Sequence, residues 1–236
     1  LIAMNVQTRL TPGAGAEPAR PPGRGTAISA RTLGEAWLDV ARLVLTHGVN
    51  SSFKGLPLLE TELVTLEISH PNPDDPVIAQ NAPPGWLDWM RRNFTDHSRV
   101  AELGGARSYA SRLFDYAGVG RNQLDWVVEK LTKDPIASYA TITTFEPLTD
   151  TTYIPCVSLL DFWLRAGRLE LISYAHSIDF GKKGFANLVQ LAELQRHVAE
   201  RLQVPEGNLV FIVKSATIYT TEVEAMRTVV DTARAR

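Results

Sequence analysis

An α+β single domain, with long helices packed on a mostly antiparallel or mixed sheet, is the fold class this sequence predicts. Three observations predict it. Apolar and polar residues alternate over 64–68 and in the stretch from 137 to 177, the period of half-buried strands. Longer segments toward the C-terminal end carry their apolar residues at helical spacing instead. The 236 residues, 44% hydrophobic and 21% charged, contain no internal repeat and suffice for one substantial core.

Taken in order, residues 1–30 hold Pro12, Pro18, Pro21, Pro22 and four glycines without an apolar period, which reads as a mobile arm preceding a domain over 31–236. The arm lacks the apolar core of a secretory signal. Thr32 is placed to cap a helix whose buried face runs Leu33, Trp37, Val40 and Val44, and Gly48 is placed to end it. Val64, Leu66 and Ile68 form a strand closed by the loop of Pro71, Pro73 and Pro76. Helices are expected over Gly85–Phe94 and Asn122–Leu131, the second stopping before Pro135. Ala140, Ile142 and Thr144 alternate with Tyr139 and Thr141, and a hairpin follows, turning at Arg165-Ala166-Gly167-Arg168. Leu188, Leu191, Leu194, Val198 and Leu202 line a long helix. A β-rich run, Asn208–Thr220, and an amphipathic helix with Val223, Met226, Val229, Val230 and Ala233 complete the pattern.

Charge and composition narrow the function. With 24 Lys plus Arg against 26 Asp plus Glu, the net charge of −2 provides no broad field for nucleic acid. A single cysteine cannot form an internal disulfide, and no run of about 18 apolar residues suggests a membrane span. A reducing, cytoplasmic setting is therefore expected. Phosphate-loop, dinucleotide-loop and nucleophile-elbow motifs are missing, and five scattered histidines do not make a metal site.

Cys156 is the residue to weigh. A lone cysteine in a β-rich segment is by default a small buried hydrophobe. Here Pro155 precedes it, and the hairpin's return strand delivers His176, Ser177 and Asp179 just before a glycine-containing loop and a helix start. Polar residues clustered at a strand end have the composition of a site.

At these residues the chain resembles the thymidylate synthase family, including its pyrimidine-nucleotide hydroxymethylase branch. Its stations are Pro155-Cys156, Tyr174-Ala175-His176-Ser177-Ile178-Asp179, Asn187 and Tyr219. The offsets from Cys156, 20 to His176, 21 to Ser177, 23 to Asp179, 31 to Asn187 and 63 to Tyr219, agree with the family pattern without a gap. The likeness is firm over 122–230, where Lys133-Asp134-Pro135 resembles the family's turn before its dimer-face strand, and Ser108-Tyr109-Ala110-Ser111-Arg112 is similar to a drifted Tyr-Gly segment.

The resemblance implies a thymidylate synthase-like mixed sheet flanked by helices, paired back to back in a homodimer. It also implies one-carbon transfer from 5,10-methylenetetrahydrofolate to C5 of a pyrimidine nucleotide or related heterocycle, without a metal. Cys156 would add its thiolate to ring C6, making C5 nucleophilic. An ordinary thiol has a pKa of about 8.5, so a cation is needed nearby, and His176 as histidinium stands where the family has arginine. Asp88 is the candidate general base and Tyr109 the other catalytic candidate. Asn187 would read the pyrimidine edge, Tyr219 a sugar hydroxyl and Asp179 the pterin. Ser177 would hold phosphate, with Lys54, Arg112 and Lys133 (or Lys182 and Lys183) replacing missing family arginines, because Ser138 and Tyr139 occupy the cross-dimer arginine stations.

Further departures are Thr217 at a histidine station, the absence of a paired-tryptophan segment in matching context among Trp86, Trp89 and Trp126, and no closing strand or lid after the last helix. An open site favours hydroxymethylation over reductive methylation. The alternative is a repurposed or catalytically silent synthase-fold protein that binds a small heterocyclic ligand or partner.

Overall fold

The computed structural model describes residues 23–151 and 153–234. Pro12, Pro18, Pro21 and Pro22 of the expected arm lie outside the described residues. Order in sequence is β1 (Ala27–Ala30), α1 (Leu33–His47), β2 (Val49–Phe53), β3 (Leu56–Ile68), α2 (Pro76–Asn81) and α3 (Trp86–Thr95). Next come β4 (Arg99–Val100), β5 (Ala106–Arg107), α4 (Tyr109–Phe114), α5 (Gln123–Lys133), β6 (Ala140–Thr143) and β7 (Val157–Arg165). The chain continues through β8 (Arg168–Asp179), α6 (Gly184–Leu202), β9 (Glu206–Tyr219) and α7 (Val223–Arg234). The main sheet has the order β1-β3-β9-β8-β7-β6, with β2 also pairing β3, and it is mixed: β1 with β3 and β8 with β9 run parallel, the other pairs antiparallel. The predicted α+β fold, a mixed sheet flanked by helices in a single domain, is what forms.

Local chemistry explains the elements. Thr32 caps α1 in a capping box with Glu35, and Gly48 receives its last turn. The β7–β8 hairpin turns through Ala166 (φ 48°) and Gly167 (φ 75°), the left-handed pair of a two-residue turn between partners Arg165 and Arg168. Lys54 and Gly55 make a similar turn between β2 and β3. Residues 27–30, expected in the arm, pair with Thr65–Ile68. Their stability comes from backbone bonds to β3, which side-chain periodicity does not report.

One face of the sheet carries the core, with Val64, Leu66, Phe162, Leu171, Phe211 and Val213 buried beneath α1 and α6. Trp37 of α1 is fully buried, and its indole N–H donates to the Phe180 carbonyl at 2.9 Å, tying that helix to the chain leaving β8. In β8 and β9 the hydrophobic core positions step by three once, from Ala175 to Ile178 and from Val213 to Ala216, and in β3 the buried positions step by three from Leu58 to Thr61 and again to Val64. These are ladder neighbours, so the three strands exchange faces in step beside Leu63, whose φ is 56°.

Arg112 of α4 supplies the chief buried charge. It is 2% exposed and meets Asp150 in a two-pronged ion pair of 2.7 and 2.7 Å, while also donating to the carbonyls of Thr144 and Arg107. Burial opposes the Asp150 carboxylate, but the Arg112 bonds, the Glu146 N–H and Arg107 together hold its pKa below the ordinary value. Asp150→Ala should strand the guanidinium and cost about 3–5 kcal/mol of stability; urea denaturation measures this, and an unchanged midpoint would contradict it.

Candidate active site

Two parallel strands must be joined by a crossover, here α6, and parallel strands end at the same edge of the sheet. Asp179 closes β8, Tyr219 closes β9, and Lys182 and Lys183 lead into α6 at that edge. A cleft opens there, lined by Leu56, Pro57, Trp86, Asp179, Lys182, Lys183, Tyr219, Thr221 and Glu222. Cys156 does not line this cleft itself. It is half-buried, and its thiol feels Lys183, Tyr153 and Asp179.

Burial pushes the Cys156 thiol up, Lys183 and a hydrogen bond from the Tyr153 hydroxyl pull it down, and Asp179 pushes it up again, for a net rise above the usual thiol value. The resting group is therefore the thiol at neutral pH. Tyr109 is buried with its ring stacked on Phe94 at 4.4 Å, and its hydroxyl accepts the Val157 N–H at 2.9 Å. Burial first, then the charges of Cys156 and Tyr153, drive its pKa well above the ordinary phenol. Tyr219 is raised by burial and by Asp179, Glu222 and Cys156. Burial and Glu222 lift Asp179 to about 6 against Lys183, the Gly181 N–H and Lys182. Glu222 is ion-paired with Lys182 at 3.6 Å.

Of the residues singled out in the sequence, Cys156, Tyr109, Asp179 and Tyr219 thus form one electrostatic cluster. Asn187 is buried in the first turn of α6, its amide N–H donated to the Lys183 carbonyl at 3.0 Å. Ser177 is exposed on β8, 3.5 Å from the Ser215 hydroxyl. His176 corrects the expectation of a histidinium: burial and the charge of Lys214 lower its pKa, so it is neutral at pH 7. Its ring meets the edges of Phe145 and Tyr174, and only its backbone N–H reaches Cys156, at the carbonyl, 2.9 Å away.

Arg112 corrects another expectation. With its guanidinium committed to Asp150 and two carbonyls, it is a framework residue and no phosphate ligand. Lys54 and Lys133 are exposed, one in a hairpin turn beside Phe53 and one at the end of α5, and neither lines the cleft. Asp88 is exposed on α3 and does not line it either, whereas Trp86 does. Trp86 and Trp89, whose sequence context gave no match, meet edge to face at 5.9 Å and hold Lys183 over their rings. Their spacing of three on one helix was the signal that was passed over. Tyr153 and Glu222 carried no signal in the sequence, and Lys183, expected only as a phosphate ligand, also acts on the thiol. Among the described residues, no group of three or more His, Cys, Asp or Glu is arranged to hold a metal, and no helix is long and apolar enough to cross a membrane.

The sequence that builds this site matches a known family. The thymidylate synthase family model covers residues 76–235, well over half of the chain, and the chain belongs to that family. A protein of Methanosarcina barkeri named "Putative thymidylate synthase" is 28% identical over 203 residues, 83% of this chain and 90% of that one. A Methanopyrus kandleri protein of the same name is 28% identical over 84% of this chain and 94% of its own length. A rice protein named a "Putative bifunctional dihydrofolate reductase-thymidylate synthase" is 27% identical over 50% of this chain and 24% of its own. Membership implies one-carbon transfer, with a nucleotide and a folate as the family's substrates.

The raised Asp179 carboxylate carries a stability consequence. A carboxyl whose folded pKa exceeds its unfolded one favours folding at low pH, and that contribution is lost as pH rises from about 4 through about 6. Asp179→Asn, which keeps an oxygen to accept the Gly181 N–H, should stabilise the protein at pH 7.5 by as much as about 3 kcal/mol. Denaturation midpoints measured at pH 7.5 and pH 4.5 check this: the gain should be large at the first and small at the second.

Proposed function

We propose that the protein hydroxymethylates C5 of a pyrimidine nucleotide or related heterocycle, with Cys156 as nucleophile. That Cys156 feels the charges of its neighbours Tyr109, Asp179 and Tyr219, the last two lining the cleft, carries this reading. The Cys156 sulfur forms a bond to ring C6, and the C5–C6 π electrons move onto the C4 exocyclic atom, leaving C5 nucleophilic. After C5 bonds to the incoming carbon, the C5 proton is lost and the bond from that carbon to the folate nitrogen breaks, leaving an exocyclic methylene; water adds to that methylene as the sulfur is expelled from C6, restoring the ring.

The cleft fits a pterin: Trp86 offers an aromatic face, and Asp179, raised to about 6, is a carboxyl able to bond ring N–H groups. Methylenetetrahydrofolate, when bound, supplies the one-carbon unit. Tyr219 binds a sugar hydroxyl, Ser177 a phosphate oxygen, and Asn187 turns its amide to the base edge. Tyr109 orders the Cys156 segment by accepting the Val157 N–H, leaving its own proton for a hydrogen bond. Addition of water at the exocyclic carbon, in place of a hydride, gives the hydroxymethyl group.

The sheet face away from the helices carries Trp163, Ile172, Tyr174, Val210 and Ile212, half-buried, and Leu159, exposed. We assign it to back-to-back pairing with a second copy, as in the family. Trp163→Glu combined with Tyr174→Glu should convert a dimer to a monomer in sedimentation; a wild-type monomer would contradict this.

Tritium release from C5-labelled nucleotides tests the chemistry, with cytosine and uracil in ribo and deoxyribo forms, with and without methylenetetrahydrofolate. At least one pair should release tritium, and Cys156→Ala should lower the rate by about a thousandfold or more. No release from any of them, with nucleotide binding retained, favours the repurposed ligand-binding protein. Product mass separates hydroxymethyl from methyl.

A further inference from the structure

The cleft holds an acceptor that the chain itself leaves unsatisfied. Among the described residues lining it, Glu222 alone carries a buried side-chain oxygen without a hydrogen-bond partner, Oε2. Its other oxygen, Oε1, lies 3.6 Å from the Lys182 ammonium, which fixes the rotation of the carboxylate. A carboxylate accepts and cannot donate, so a buried oxygen of this kind loses its hydration unless a donor is brought to it.

The backbone sets where Glu222 stands. It ends a single 3-10 turn, Thr220–Glu222, that directly follows β9, and Thr220 ties this turn to β3 by donating its hydroxyl to the Pro57 carbonyl at 2.7 Å. Asp179 lies on the other flank of Gly181. A β-carbon built on that glycine would stand 3.1 Å from the Glu222 Cβ and 3.4 Å from the Asp179 Oδ1. Glycine at 181 therefore leaves room for both carboxyl groups at one end of the cleft, beside Trp86. The Gly181 N–H bonds Asp179 Oδ1 at 3.1 Å, so Asp179 has a backbone donor that Glu222 Oε2 does not.

The 2-amino-4-oxopyrimidine edge of a pterin carries three hydrogens in a row, one on ring N3 and two on the amino group. A carboxylate that grips two parallel N–H bonds takes the ring hydrogen and the nearer amino hydrogen. The farther amino hydrogen diverges from that pair and needs a second acceptor beside the first. We infer that Glu222 is a specificity residue of the pterin site, its Oε2 accepting the outer hydrogen of the 2-amino group while Asp179 takes the inner pair. This rests on the reading of the cleft as a pterin site given above, and adds to it the residue that reads the amino group.

Two folate analogues that differ only at ring position 2, one with the amino group and one with a methyl group in its place, test the contact. Calorimetry measures both against wild type, Glu222→Ala and Glu222→Gln, alone and with each of the pyrimidine nucleotides named above. Wild type should favour the amino analogue. In Glu222→Ala that preference should shrink about tenfold or more, as loss of a hydrogen bond to a charged group requires, while the methyl analogue binds the variant at least as tightly as wild type. Glu222→Gln, which keeps an oxygen acceptor without the charge, should lose part of the preference, and its near-identical shape keeps the test decisive if the alanine variant does not fold. Equal weakening of both analogues, the mark of a disturbed cleft, or an unchanged preference in either variant overturns the proposal and leaves the pterin reading standing. Binding of neither analogue to wild type under any of these conditions overturns both. A preference that collapses on substitution in a protein releasing no tritium supports this assignment and sinks only the nucleophile reading.

Discussion

The parallel pairing of β8 with β9 is the constraint on which the rest of the site depends. Leu171 to Asp179 lie beside Leu209 to Thr217, so both strands finish at one edge and α6 must cross between them. That single topological requirement brings Asp179, Lys183, Asn187 and Tyr219 together although up to 40 residues separate them in the chain. The shared change of face in β3, β8 and β9 then decides which residues meet the helices beyond the kink, among them Ile178 and Ala216. A one-residue slip in any of the three would turn this edge inside out.

Around that edge the structure holds charges against the preference of a buried interior. Asp179 and the Cys156 thiol are both raised by burial and by neighbouring acids, and Lys183 opposes both shifts. Such a cluster destabilises the fold locally and keeps its groups near the point of proton exchange, which suits chemistry better than framework. Arg112 and Asp150 illustrate the contrary arrangement: an equally buried pair, fully bonded, that fixes α4 to the loop before β7.

How much of this was legible in the sequence depends on how local the signal was. Thr32 and Glu35 announce α1 because capping is a matter of four residues, and Ala166-Gly167 announces the hairpin because a tight turn needs left-handed backbone. The family stations were legible as offsets from Cys156, and two of them, Asp179 and Tyr219, line one cleft. What escaped is what tertiary pairing decides. Ala27–Ala30 has too little periodicity to declare itself a strand, yet β3 recruits it. Arg112 reads as a spare cation until Asp150, 38 residues later, is seen beside it. Trp86, Trp89 and Lys183 belong to different segments, and their stack exists only after α3 and α6 have packed.

The central claim is that the Cys156 sulfur adds to a pyrimidine ring while C5 accepts carbon. A fluorine at C5 makes the claim directly visible, because it cannot leave as a proton does and the adduct stalls before the sulfur is expelled. Intact mass of the protein incubated with 5-fluoropyrimidine nucleotides and methylenetetrahydrofolate should show one added nucleotide and one added folate per chain, mapped by proteolysis to the peptide containing Pro155 and Cys156. Unmodified protein after incubation with cytosine and uracil forms alike, or an adduct on any other residue, would contradict the account.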